Sequence, residues 1–171
     1  MINFRRASID DAKTYASILV KSRINTYGPY LSKEMFEETC NEEKYVKEFL
    51  EFEKDRDIFI YMIEYNEQIV GVLELGKPIP RDIYKDDMEG YGELRYLHID
   101  KDFQKLGIGS KSLEFAFAKF KELGYKKIFL WVKKMNTIAI GLYKKYYFIE
   151  TEYDCEEASD LIPTMVLEKE L

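Results

Sequence analysis

The chain has 171 residues, 46 % hydrophobic and 15 % aromatic, with 14 Tyr and 11 Phe; that is too much buriable surface for a disordered chain, and it suits one domain over residues 1–171. With 26 basic against 32 acidic side chains the formal net charge is −6, a field that opposes binding to nucleic-acid backbones and favours cationic partners. Cys40 and Cys155 belong to no CxxC and there is one His, so neither a disulfide framework nor a protein-built zinc site is expected, and a reduced cytoplasmic setting is. No apolar run reaches signal-peptide length or the ~20 residues of a membrane span.

Residues 2–6 read as a first strand. Ser8 followed by Asp11 is a helix start, in which Ser caps free amides and Asp sits in the positive first turn. Ala12, Tyr15, Ala16 and Leu19 then share a helical face, and Gly28-Pro29 stops it. Ser32 and Asn41 are further caps, ahead of two short helices or one bent one. Residues 58–63 and 69–75 are apolar and β-branched runs around the turn signal Asn66-Glu67, which predicts an antiparallel hairpin. Residues 76–91 read as a long charged loop and 92–99 as the next strand. Leu113, Ala116, Phe117, Phe120 and Leu123 follow at helical spacing up to Gly124, a C-terminal cap. Residues 127–132 are a buried-type strand, Asn136 opens a helix to about Tyr146, and 148–153 with 162–167 predict a closing antiparallel pair. The order β-α-α-β-β-β-α-β-α-β-β is that of an α/β fold with a mixed, mostly antiparallel central sheet and helices on both faces.

The sharpest local feature is the QxxGxG of Gln104, Gly107 and Gly109, placed between a strand and an amphipathic helix. Glycines permit positive φ and close approach, and free amides at a helix N-terminus point at an anion in the field of the helix dipole, so a diphosphate is a natural occupant. A dinucleotide-binding fingerprint would need a third glycine and a turn at the first strand, and no GxxxxGK[ST] exists for a P-loop. On spacing alone, a ligand-free strand-to-helix corner fits as well. Asn136 and Tyr143 are also separated by about two helical turns; by themselves they read first as an ordinary cap and a core aromatic.

The ordered segments GELRYLHID, QKLGIG, KIFLWV and NTIAIGLYKKYYF resemble the core motifs of the GNAT superfamily of acetyl-CoA-dependent N-acetyltransferases over roughly residues 92–148. The resemblance implies a GNAT-like sheet, acetyl-CoA as cosubstrate and no metal. It implies that Leu97, His98 and Ile99 meet the pantetheine arm, and that Gln104, Lys105, Leu106, Gly107, Ile108, Gly109 and Ser110 hold the phosphates. Asn136, Ala139 and Tyr143 match the family's NxxAxxxY pattern, which adds Asn136 and Tyr143 to the cofactor set. Two departures stand out. Tyr147 precedes Phe148 where the family usually has Gly, and Gln104 stands where Arg is also common.

Acetyl transfer to an amine needs a neutral amine, a polarised carbonyl and a proton for the departing thiolate. About one lysine-like amine in 2,500 is neutral at pH 7, so its proton must leave by burial, a base or water. A phenol stays protonated at neutral pH, which suits Tyr143 as the acid. The resemblance implies Glu93 as base, the alternative being a surface or salt-bridged carboxylate beside Arg95. A backbone amide, that of Leu97, would polarise the carbonyl. His98 has chemistry suited to proton transfer, although lone histidines are more often structural.

The acceptor is expected to be a small cationic amine, with no nucleic acid or membrane as partner. Acids crowd the regions that would face it: Glu34, Glu37, Glu38, Asp82, Asp86, Asp87, Glu89, Glu156, Glu157 and Asp160. TYGPYLSKEMFEE is also similar to the layout of PaiA-type polyamine acetyltransferases, which implies spermidine or spermine. A protein N-terminus, a lysine or an aminoglycoside-like amine are alternatives, and a catalytically silent acyl-CoA-binding module is the rival of another class. The aromatic surplus leaves room for a homodimer.

Overall fold

The computed structural model describes residues 1–79, 88–154 and 162–171. The strands are β1 (Ile2–Arg6), β2 (Ile58–Tyr65), β3 (Gln68–Gly76), β4 (Tyr91–Ile99), β5 (Lys127–Lys133), β6 (Ile149–Asp154) and β7 (Thr164–Glu170). They form one seven-stranded sheet in the order β1-β2-β3-β4-β5-β7-β6. The helices are α1 (Ala12–Tyr27), α2 (Lys33–Thr39), α3 (Glu42–Phe52), α4 (Ile108–Glu122) and α5 (Thr137–Lys145). The expected order of elements is observed, with one refinement. Ser32 and Asn41 each cap a separate helix, accepting from Met35 N and Lys44 N, so three helices precede β2. Cys155, six of the ten acids singled out above (Asp82, Asp86, Asp87, Glu156, Glu157 and Asp160) and the middle of the 76–91 loop lie outside the described residues.

The chain forms two compact units, Met1–Glu74 with Tyr96–Ser112, and Leu75–Arg95 with Leu113–Leu171. In the first, β1 and β2 pair antiparallel from Ile2↔Tyr65 to Arg6↔Tyr61. The β2–β3 turn puts both Asn66 and Glu67 at positive φ, the twist-compatible geometry of a two-residue hairpin. Tyr15, Leu19, Phe49, Ile60, Met62 and Val72 are the centre of the core, so the apolar stripe of α1, that of α3 and one face of β2 and β3 bury one another.

The entry to α1 is an ionic clamp. Asp11 accepts Ser8 N–H at 2.8 Å and both terminal nitrogens of Arg5 at 2.9 Å, and Arg5 also reaches Glu64. The Arg5 hydrogen bonds hold the Asp11 carboxyl at about 2, below its ordinary 3.8. A depressed pKa means that this stabilisation is present above pH 4 and is lost as pH falls towards 2. Asp11→Asn is expected to lower unfolding free energy at neutral pH by about 2 kcal/mol and to flatten the pH 2–4 limb of the stability curve. Chemical denaturation at pH 7 and pH 3 measures both.

In the second unit, the parallel β4–β5 ladder is short: it runs from Tyr91↔Lys127 to Glu93↔Phe129 and stops there. β5 pairs along its length with β7, antiparallel, and β7 with β6. Ile128, Phe129 and Leu130 are all buried, as a continuous apolar run on an inner strand requires. From α4, Leu113, Ala116 and Phe120 are fully buried, while Leu123 is exposed at its end.

Both α4 and α5 end in the same hydrogen-bonded cap. In α4, Gly124 N donates to Lys121 O and Tyr125 N to Phe120 O, with Gly124 at φ +84°. In α5, Tyr147 N donates to Lys144 O and Phe148 N to Tyr143 O, with Tyr147 at φ +63°. The departure at Tyr147 therefore leaves the turn intact and puts a tyrosine in the left-handed conformation that glycine adopts without cost. That conformation costs a residue with a Cβ about 1–2 kcal/mol, and Tyr147 is 81 % exposed, so little packing is at stake. Tyr147→Gly is expected to stabilise the protein by about 1 kcal/mol, after the extra entropy of an unfolded glycine is set against the relieved strain. Thermal and urea denaturation measure it.

Candidate functional site

The β4–α4 corner lies wholly in the first unit. Asp100 N donates to Val70 O at 2.8 Å, tying the end of β4 to β3. Gly71 is packed so tightly there that a Cβ would stand 2.5 Å from His98 O. Asp100 then caps a single 3-10 turn at Lys101–Phe103 through Asp102 N. Lys105 and Gly107 both take positive φ, +63° and +80°, which reverses the chain into α4. Lys111 N donates to Gly107 O at 3.1 Å, the first bond of the helix, so the amides of Ile108 and Gly109 have no helical acceptor. A Cβ built at Gly107 would meet nothing within 4 Å, so the space beside this residue is open. The corner thus presents unused donors in the field of a helix of 15 residues, a pattern that accommodates a phosphate group.

The side chains of the corner divide by task. Ile108 is buried and Ser112 Oγ donates to its carbonyl at 2.9 Å, which anchors the first turn. Gln104 Nε2 donates to Ile99 O at 3.1 Å, so this side chain closes the loop on its own strand. Lys105, Leu106 and Gly107 are exposed, and Gly109 and Ser110 are half-buried.

β4 brings the other expected residues into play. Within the first unit, Leu97, His98 and Ile99 are half-buried. His98 Nδ1 lies 2.7 Å from Ser22 Oγ of α1, and its ring is 5.6 Å from that of Tyr96. Desolvation, then the charge of Arg23, holds the imidazole down to about 3, so it is neutral at ordinary pH. Tyr96 OH donates to Glu48 Oε1 of α3 at 3.0 Å. Deeper in, Tyr15 OH donates to Glu74 Oε2 of β3, both residues having no exposed surface. Burial first, and the carboxylates next, push both phenols well above their ordinary range. Arg23 sits over the ring of Tyr45, 5.3 Å from its centroid.

This network of Tyr15, Ser22, Arg23, Glu48, Glu74 and Tyr96 is absent from the candidates read out of the sequence. One signal was available: Glu74 is a carboxylate inside the apolar run IVGVLELG, where an ionisable group needs a buried partner.

In the second unit, Glu93 is fully buried and accepts Ile79 N–H at 3.0 Å, so it is not a surface carboxylate, and a salt-bridged carboxylate beside Arg95 stays as the alternative. Asn136 is the N-cap of α5, its Oδ1 accepting from Ala139 N at 3.2 Å. Tyr143 is buried in the last turn, its ring 5.5 Å from Phe148 in an edge-to-face contact. Among the described residues, no group of three or more His, Cys, Asp or Glu is placed to hold a metal, and no helix is long and apolar enough to cross a membrane.

Comparisons with known proteins bear on the fold and the family. The mycothiol acetyltransferase of Geodermatophilus obscurus is 35 % identical over 66 residues, which span 39 % of this chain and 21 % of that protein. The PaiA N-acetyltransferase of Thermoplasma acidophilum, solved with coenzyme A, superposes at TM-score 0.77 and 22 % identity, covering 100 % of this chain and 99 % of that one. The spermidine/spermine N-acetyltransferase SpeG of Vibrio cholerae superposes at 0.70 with 17 % identity over 99 % and 93 % of the two chains. Both likenesses show the shared fold. Residues 26–148, which include the β4–α4 corner and α5, match the model of the acetyltransferase (GNAT) family, and the chain belongs to that family.

Proposed function

We propose that the chain is an acetyl-CoA-dependent N-acetyltransferase that acts on a primary amine, with a polyamine such as spermidine or spermine as the first candidate. The observation that carries the reading is the β4–α4 corner, with its open amides at Ile108 and Gly109 and its positive φ at Lys105 and Gly107. The corner fits a pyrophosphate without a metal, because the helix N-terminus supplies donors and field together. Lys105, Leu106 and Ser110 border it, and the Leu97, His98 and Ile99 backbone precedes it as the pantetheine contact. Asn136 belongs to the same cofactor set by its match to the family pattern.

The amine lone pair attacks the thioester carbon, the C–N bond forms and the C–S bond breaks. The Leu97 amide polarises the carbonyl, Tyr143 gives its phenolic proton to the departing thiolate, and Glu93 takes the proton released from the amine. Because Glu93 is enclosed and holds the Ile79 amide, that proton travels by water. Glu93→Gln keeps an acceptor for the amide, so it isolates the proton: loss of the acid limb of kcat/KM supports the role, and an unchanged limb removes Glu93 from the mechanism.

Support for a cationic acceptor is the net charge of −6, the exposed Glu34, Glu37 and Glu38 of α2, and the spermidine/spermine enzyme among the fold neighbours. The test is thiol release from acetyl-CoA against spermidine, spermine, a lysine peptide, an N-terminal peptide and an aminoglycoside. Release that rises with spermidine or spermine supports the reading. Acetyl-CoA binding with no amine-dependent thiol from any of them contradicts it and favours a silent acyl-CoA binder.

A further inference from the structure

His98 is held from several sides and has one ring nitrogen to spare. Its Nδ1 is fixed at 2.7 Å by Ser22 Oγ, while Nε2 finds no hydrogen-bond partner among the described residues. The ring rests on Tyr96, which is itself fastened to Glu48. The backbone beneath it is pinned as well, since Gly71 approaches His98 O so closely that only a hydrogen fits between them. An imidazole whose rotamer and backbone are both constrained, and which is half-buried with one ring nitrogen unused, can meet a ligand atom.

We infer that His98 positions the acceptor amine: Nδ1–H donates to Ser22 Oγ, and the Nε2 lone pair accepts an N–H from the amine. This rests on the functional reading above, because the His98 backbone is one of the three β4 positions given to the pantetheine arm. One hydrogen bond accepted from the amine fixes the direction of the amine's own lone pair, which raises the fraction of bound acceptor aligned with the thioester. The proton stays on the amine nitrogen. Arg23 on α1, Glu48 and Tyr45 on α3, Glu74 on β3 and Tyr96 on β4 are the titratable and charged groups of the surrounding network, and the Arg23 charge disfavours an imidazolium there. His98 is thus an acceptor-positioning residue that keeps one charge state across the working pH range.

The experiment is steady-state kinetics of the full chain with the amine that gives turnover, for wild type, His98→Ala, His98→Gln and Ser22→Ala. His98→Ala is expected to lower kcat/KM for the amine about tenfold with the KM for acetyl-CoA unchanged. His98→Gln, whose amide oxygen can accept near the Nε2 position, restores most of that loss, and Ser22→Ala shows a smaller loss of the same kind. The acid limb of kcat/KM has the same shape in wild type and His98→Gln. Unchanged amine kinetics in His98→Ala overturn the inference. So does an acid limb that disappears in His98→Gln, which makes His98 a base, or an equal loss of acetyl-CoA affinity and thermal stability in both His98 variants, which makes it structural. If the wild type neither binds acetyl-CoA nor releases thiol, the functional reading itself fails; if it does both and His98→Ala is indifferent, only this inference does.

Discussion

Tyr143→Phe is expected to lower kcat about 100-fold or more while leaving acetyl-CoA affinity and the unfolding midpoint close to wild type. The ring is buried, packs edge-to-face on Phe148 at 5.5 Å, and belongs to the residue whose carbonyl accepts Phe148 N in the cap of α5. Phe keeps all of that. What it loses is an acid that stays protonated at neutral pH, and loss of a positioned general acid typically costs 10²–10⁴ in rate. The loss should appear in kcat and kcat/KM together, since the proton is needed only as the C–S bond breaks. A variant with full turnover removes Tyr143 from the chemistry and leaves it a core aromatic.

Ser110→Glu is expected to weaken acetyl-CoA binding by at least 30-fold without destabilising the fold. A carboxylate in the first turn of α4 is favourable to the helix, because it sits in the positive end of the dipole. The same charge occupies the field that the proposed pyrophosphate needs, and two anions at one helix N-terminus repel. Helix stability and ligand affinity thus move in opposite directions, which a general packing defect at Ser110 cannot produce. Thermal melting without ligand gives the first quantity, and calorimetric titration with acetyl-CoA the second.

Much of the fold is legible because its signals are local. Ser8, Ser32 and Asn41 announce helix starts within three residues of the groups they serve, and Asn66-Glu67 marks a turn whose strands lie on either side. The β4–α4 corner is legible for the same reason: strand, glycine spacing and amphipathic helix are contiguous. Tyr147 is different. Glycine advertises a left-handed residue and tyrosine does not, so only the resemblance implies a turn there, and only the folded chain shows that it persists. The insertion of β7 between β5 and β6 depends on pairing across a long connection, and residue patterns over the closing strands do not encode that order.

The polar network of the first unit is the least legible part, and the reason is distance along the chain. Ser22 meets His98 across 76 residues, Tyr15 meets Glu74 across 59, and Tyr96 meets Glu48 across 48. A serine on α1 reads as a helix-surface residue until β4 is laid against it. Glu48 illustrates the same point: in the EEKYVKEFLEF of α3 it is one of several acids, and nothing local distinguishes the one that meets Tyr96 from those that meet water.

Paired calorimetric titrations decide whether the β4–α4 corner binds the pyrophosphate of acetyl-CoA. Wild type is titrated with acetyl-CoA and with S-acetyl-pantetheine, which keeps the thioester and pantetheine arm but lacks the pyrophosphate and nucleotide; Ser110→Glu is titrated with both. Acetyl-CoA is expected to bind wild type far more tightly than S-acetyl-pantetheine does, and Ser110→Glu to remove most of this difference while leaving the weaker ligand's affinity unchanged. Equal affinity of wild type for the two ligands, or an undiminished preference for acetyl-CoA in Ser110→Glu, contradicts it.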